Sequence, residues 1–217
     1  SFVRASLPLS ELTLLIGANA SGKSNALEAP QLLSWLSESH RLYDLAGAVK
    51  DGQLALRGRA LDLAWQQSTA HAIHLECALE QNQEGLSLEY SIDLRITDDS
   101  LRVVGEVLRC PEEVGELPLY RVVAPAPPHG REMAVEYNNF ARGKNKPQIA
   151  CVDEQPVFMQ LLTPARFGAS HEKSQRVIPE ASRRIRDALD GILFLNPNPG
   201  AMREYSHRSQ PRLAGDG

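Results

Sequence analysis

Long apolar runs are missing from this chain of 217 residues. No stretch reaches the roughly 18 apolar residues that a membrane-spanning helix needs, so a membrane partner is not expected. Cysteine is scarce: Cys77, Cys110 and Cys151 stand isolated, three in number, without metal-ligand spacing or a disulfide framework. That usage points to a reducing compartment. The opening residues lack a signal-peptide pattern, and the chain is read as cytoplasmic. A strong charge of one sign is also lacking, since the formal net charge is −4. The small total conceals an asymmetry. Residues 1–120 carry 9 Lys and Arg against 17 Asp and Glu, whereas residues 121–217 carry 14 against 10. A basic second half can face an anionic partner such as DNA, although scattered charge is more often a solvated surface.

What is present is concentrated between Leu12 and Asn25. Leu12 to Ile16 reads as a short apolar strand, and Gly17-Ala18-Asn19-Ala20-Ser21-Gly22-Lys23-Ser24 satisfies G-x-x-x-x-G-K-[ST] before a helical pattern. The spacing has a physical reason. Backbone N–H groups of such a loop point inward at phosphate oxygens, and the helix that follows adds the partial positive charge of its N-terminus. Gly17 and Gly22 leave room for close approach. Lys23 is placed to reach the β- and γ-phosphates, and the Ser24 hydroxyl is placed to hold Mg²⁺. A nucleotide phosphate site at Gly17–Asn25, with ATP and Mg²⁺ as cofactors, is the expectation.

In chain order, residues 1–9 read as strand and turn and begin without Met, so the natural start is expected to be missing. A helix should run from Ala26 toward Ser39, kinked or restarted at Pro30. Residues 40–60 connect, and Arg57 and Arg59 there are solvated loop arginines rather than nucleotide contacts. From about Leu61 the period becomes two. Ile73 to Glu80, Leu86 to Ile96, residues 101–109 and residues 118–124 form an antiparallel meander. His71 and His74 lack a third ligand and are assigned to a surface face rather than a metal site.

Residues 125–148 are rich in proline and polar groups. Phe140, Arg142, Lys144 and Lys146 have the make-up of a nucleic-acid contact, but a hairpin tip shares it. Gln148 to Glu154 has the form of a Walker B strand, four apolar residues before Asp153-Glu154, a pattern that also arises by chance. Pro156 to Leu162 is a short apolar segment, Pro179 to Asp190 a helix with proline in its first turn, and Ile192 to Leu195 a buried strand. The polar tail stops at Gly-Asp-Gly, as if cut from a longer chain.

Ile16 to Ala29, with its G-x-N-x-x-G-K-S-N core and the acidic Glu28, resembles the P-loop of the ABC-type ATPase heads of RecF, SMC and OLD-family proteins. The resemblance implies an α/β fold: a P-loop NTPase core of the ABC-ATPase type with an inserted antiparallel β-subdomain. It divides the chain into residues 1–60 of the nucleotide-binding core, residues 61–150 of the β-subdomain, and residues 151–217, a helical segment expected to lead to a missing C-terminal half. By the same resemblance Gln160 is the glutamine that completes the Mg²⁺ and water site, with Gln155 and Gln175 as competitors, and Lys23 and Gln160 are the catalytic pair. Such heads form at least a dimer around ATP and work in DNA repair or anti-phage defence, beside a nuclease or effector protein; a scaffold that holds ATP with little hydrolysis is the alternative. Other P-loop classes fit less well. A transporter subunit brings its glutamine closer than the 137 residues between Lys23 and Gln160, and Asn145-Lys146-Pro147-Gln148 lacks the Asp that would read guanine.

Overall fold

A computed structural model describes residues 5–18, 22–38, 40–45, 49–50, 53–54, 72–80, 86–97, 100–143 and 145–195. The expectations for Arg57, Arg59, His71 and the tail beyond residue 195 lie outside them. The fold is mixed α/β, built on a six-stranded antiparallel sheet in sequence order. Its strands are β3 (Ala72–Leu79), β4 (Leu88–Thr97), β5 (Ser100–Arg109), β6 (Pro118–Ala124), β7 (Glu132–Tyr137) and β8 (Gln148–Val152). Before it come helix α1 (Lys23–Leu36), a 3₁₀ turn at Leu42–Leu45, and the two-residue strands β1 (Val49–Lys50) and β2 (Gln53–Leu54), paired antiparallel. Short helices α2 (Pro111–Val114) and α3 (Val157–Gln160) and the long α4 (Glu172–Asp190) complete the set.

The meander follows the alternation that predicts it. On β4, Leu88, Tyr90, Ile92, Leu94 and Ile96 are all buried, as period-two patterning requires of a half-covered sheet. On β5 the parity changes. Leu101 and Val103 face the core, a register shift falls opposite Asp93 and Leu94, and from there Glu106 and Leu108 are the buried residues. One extra residue in a strand moves every later side chain to the other face. The bulge therefore carries a carboxylate into the core. Glu106 is 1% exposed and accepts hydrogen bonds from the Val157 N–H at 2.6 Å, the Phe158 N–H at 2.9 Å and the Tyr120 hydroxyl at 2.8 Å. It thus ties β5 and β6 to the first turn of α3. Beside the bulge, Gly105 lies under the Asp93 side chain: a Cβ there would lie 2.5 Å from Asp93 Oδ2, whose partner oxygen bonds His74 Nδ1 at 2.7 Å, so that the carboxylate would have to shift.

Helices α1 and α4 cover the buried face. Leu32, Leu33, Trp35 and Leu36 of α1 join Ile178, Ala181, Ile185 and Leu189 of α4 in one core with the sheet. Trp35 is 1% exposed and stacks on His40 with ring centroids 5.1 Å apart.

Several expectations are corrected. Of the two forms expected at Pro30, kink or restart, the restart does not occur, since α1 is one helix, and α4 begins at Glu172 with Pro179 inside it, not at its first turn. The reason lies in the buried stripe Ser174, Ile178, Ala181, Ser182, Ile185 and Leu189, which begins a turn and more before the proline. Packing along that stripe outweighs the lost backbone hydrogen bond. Leu12 to Ile16 is not a strand: it has no pairing partner among the described residues, and Leu12, Leu14 and Ile16 are 83%, 77% and 84% exposed. Ile192 to Leu195 is likewise unpaired, with Leu193 and Leu195 exposed. The polar stretch at 125–148 holds β7, and β8 pairs antiparallel with β7 and is, among the described residues, an edge strand.

Candidate functional site

The glycine-bracketed loop enters α1 through Gly22, whose φ of 88° is a left-handed value that glycine adopts without strain. Lys23 is the first helical residue. Its ammonium donates to the carbonyl oxygens of Gly17 and Ala18, both at 2.7 Å, so the side chain reaches back across the loop to where it begins. Asn19, Ala20 and Ser21 lie outside the described residues. Ser24 and Asn25 are exposed in the first turn of α1.

This helix end has the electrostatics of an anion site. Among the described residues no side chain caps it, its first turn contains no acidic residue, and the intrahelical ladder begins with the Ala26 N–H donating to Gly22 O at 3.0 Å. The amides ahead of Ala26 carry the positive end of the helix dipole. A phosphate approaching them meets an ammonium already close by, and the exposed Ser24 hydroxyl stands one residue further on. These residues fit a phosphate-bound Mg²⁺, which takes few protein ligands. Among the described residues no cluster of three His, Cys, Asp or Glu side chains could hold a metal by itself.

Gln160 lies at the end of α3 and is turned toward the sheet. Its Oε1 accepts the Val152 N–H at 2.8 Å, and its Nε2 donates to Val152 O at 2.8 Å and to Gln155 O at 3.0 Å. The side chain behaves as a short strand laid on β8, and among the described residues none of its hydrogen bonds reaches Gly17–Asn25. Gln175, the other competitor, donates to Gly168 O at 2.9 Å.

Asp153 and Glu154, at the end of β8, are both held in ion pairs. Asp153 is 2% exposed and its Oδ2 meets Arg102 Nη1 at 3.1 Å, while its Oδ1 is buried without a hydrogen-bond partner. Glu154 meets Arg131 at 2.7 Å. Sequence reasoning could not see these pairings, because the arginines come from β5 and from the loop before β7.

The loop between β7 and β8 is internally bonded. Lys146 Nζ donates to Asn139 Oδ1 at 3.3 Å and Ala141 O at 2.8 Å, and the Lys173 ammonium lies 4.4 Å from the centroid of the Phe140 ring. Phe140 adopts φ 57°, and Asn138 Oδ1 accepts its N–H at 2.8 Å. A base stacking on Phe140 would have to share the ring with Lys173. His74 pairs with Asp93 on the exposed side of the sheet.

The class defined by these observations is a mixed α/β chain in which an antiparallel meander is covered by a helix that begins at a P-loop motif. No protein-family model matches the chain, and no curated protein or solved structure matches it.

Proposed function

We propose that the chain is an ATP-binding head, with Gly17 to Asn25 holding the triphosphate and Ser24 its Mg²⁺. The observation that carries this reading is the N-terminus of α1: without a side-chain cap among the described residues, free of acidic side chains in its first turn, and with the Lys23 ammonium 2.7 Å from two carbonyls of the same loop. On this reading Lys23 exchanges those carbonyls for β- and γ-phosphate oxygens, a trade of neutral acceptors for charged ones that favours the bound state. Hydrolysis transfers the γ-phosphoryl group to water, giving ADP and phosphate. Lys23 stabilises the charge on the transferred group, and Gln160, once released from Val152, orients metal and water. Two heads close around ATP, and the nucleotide state is passed to DNA repair or anti-phage defence through a nuclease or effector partner.

A second reading has its own support. Gln160, Asp153 and Glu154, the side chains available for hydrolysis beyond the P-loop, are all engaged elsewhere. That arrangement favours a scaffold that holds ATP with little turnover and positions an effector protein. ATP binding and hydrolysis by wild type and Lys23→Ala, with and without double-stranded DNA, separate the two. DNA-stimulated turnover lost in the variant supports the ATPase; tight binding with negligible turnover supports the scaffold; undiminished binding by Lys23→Ala overturns both.

A further inference from the structure

The two outer edges of the sheet differ in how they are protected. Strand β3 carries exposed His74 and Glu76, and charge on an edge strand discourages pairing with another chain. Strand β8, Gln148-Ile-Ala-Cys-Val152, has no charge and no proline of its own. In its register with β7, Cys151 lies opposite Met133 and Ile149 opposite Val135. The flanking Asp153 N–H donates to Arg131 O at 2.9 Å and the Tyr137 N–H to Pro147 O at 3.0 Å, so odd-numbered backbone groups face β7. Those of Gln148, Ala150 and Val152 face outward, and their side chains are exposed.

Part of that outward row is occupied by side chains. Gln160 takes both the N–H and the C=O of Val152, and an Arg166 guanidinium N–H donates to Ala150 O. Arg166 belongs to the 3₁₀ turn Pro164–Arg166, so both blockers come from the segment that follows β8. Without them the strand is self-complementary. A twofold axis at Ala150 would place Gln148 of one copy against Val152 of the other, with no like charges opposed.

We infer that Gln160 and Arg166 close the β8 edge against strand pairing with a second copy of this chain. This assigns the Gln160 amide a task in the nucleotide-free molecule that is separate from any part in ATP chemistry. It also makes the pairing edge conditional, because whatever draws Gln160 away from Val152 opens it.

The test uses the full chain without nucleotide or Mg²⁺, so that dimerisation around ATP does not contribute. Sedimentation equilibrium compares wild type, the near-isosteric pair Gln160→Met with Arg166→Met, and that pair combined with Ala150→Pro. Proline at 150 removes an outward N–H and leaves the ladder with β7 intact. The expected result is a doubling of molar mass in the double variant relative to wild type at equal concentration, reversed by Ala150→Pro. Gln160→Glu keeps the acceptor for Val152 and loses both donated bonds; it is the milder opening, judged by the same mass criterion should the double variant fail to melt cooperatively. A cooperatively folded opened variant with the mass of wild type overturns the inference. So does a mass increase that survives Ala150→Pro, or a wild type that is already doubled and is returned to one chain by Ala150→Pro alone.

Discussion

Replacing Glu106 by Gln perturbs the bond set that fastens the sheet to α3. The carboxylate accepts three donors, from Val157, Phe158 and Tyr120. In the amide, Oε1 can keep Phe158 N–H and Tyr120 O–H, but the group facing Val157 N–H becomes a donor. One short hydrogen bond is lost and a buried donor is left unpaired, a cost of about 1–3 kcal/mol. The pH dependence is more diagnostic. Burial pushes the Glu106 carboxyl from its ordinary 4.5 up to about 7, against the hydrogen bonding of Val157, Tyr120, Phe158 and Tyr90 that pulls it down. Its folded-state pKa is therefore raised. Between pH 4.5 and 7 the folded protein holds a proton that the unfolded chain has released, so this group's contribution is complete below 4.5 and is lost as pH rises through 7. A shift of that size corresponds to about 3 kcal/mol over the window. Urea unfolding followed by far-UV circular dichroism from pH 4.5 to 8 reads it directly. The wild-type midpoint should fall more steeply with pH than that of Glu106→Gln, so that the variant's deficit shrinks toward pH 8. Parallel curves for the two proteins would refute the reasoning.

Two further stability predictions rest on single contacts. Arg102→Met strands the Asp153 carboxylate, already short of one partner, and should cost about 3–5 kcal/mol, with much of the loss recovered by adding Asp153→Asn; chemical denaturation of the single and double variants measures both. Gly105→Ala forces the Asp93 side chain off the sheet and breaks its bond to His74, a loss of about 1 kcal/mol that should vanish in an Asp93→Ala background, as thermal melts of the four-protein cycle would show.

The meander was legible because its signal is local. Leu88 to Ile96 alternates in sequence as it alternates in burial. Strand β7 carries the same signal in Met133, Val135 and Tyr137, obscured by the proline-rich stretch around it. The bulge opposite Asp93 was not legible, and with it went Glu106, which simple alternation places on the other face. Proline misled at position 179, where a residue read as the first turn of a helix lies inside one whose buried stripe begins before it. Leu12 to Ile16 shows the opposite limit: a strand requires a neighbour, and apolar residues alone do not supply one. The G-x-x-x-x-G-K-[ST] spacing is readable residue by residue in the sequence, and Lys23 reaches back to Gly17 and Ala18. Gln160 is not, because its partners are backbone atoms of β8, which no side-chain pattern records.

The central claim is that Gly17 to Asn25 binds the phosphates of ATP, and equilibrium titration of ATP with Mg²⁺ into wild type and Lys23→Ala tests it most directly. Loss of a charge-assisted contact worth about 1.5–3 kcal/mol predicts affinity lowered by roughly 10- to 100-fold in the variant, with its fold retained by circular dichroism. Equal affinity in the two proteins, or no ATP binding by the wild type, would contradict the account.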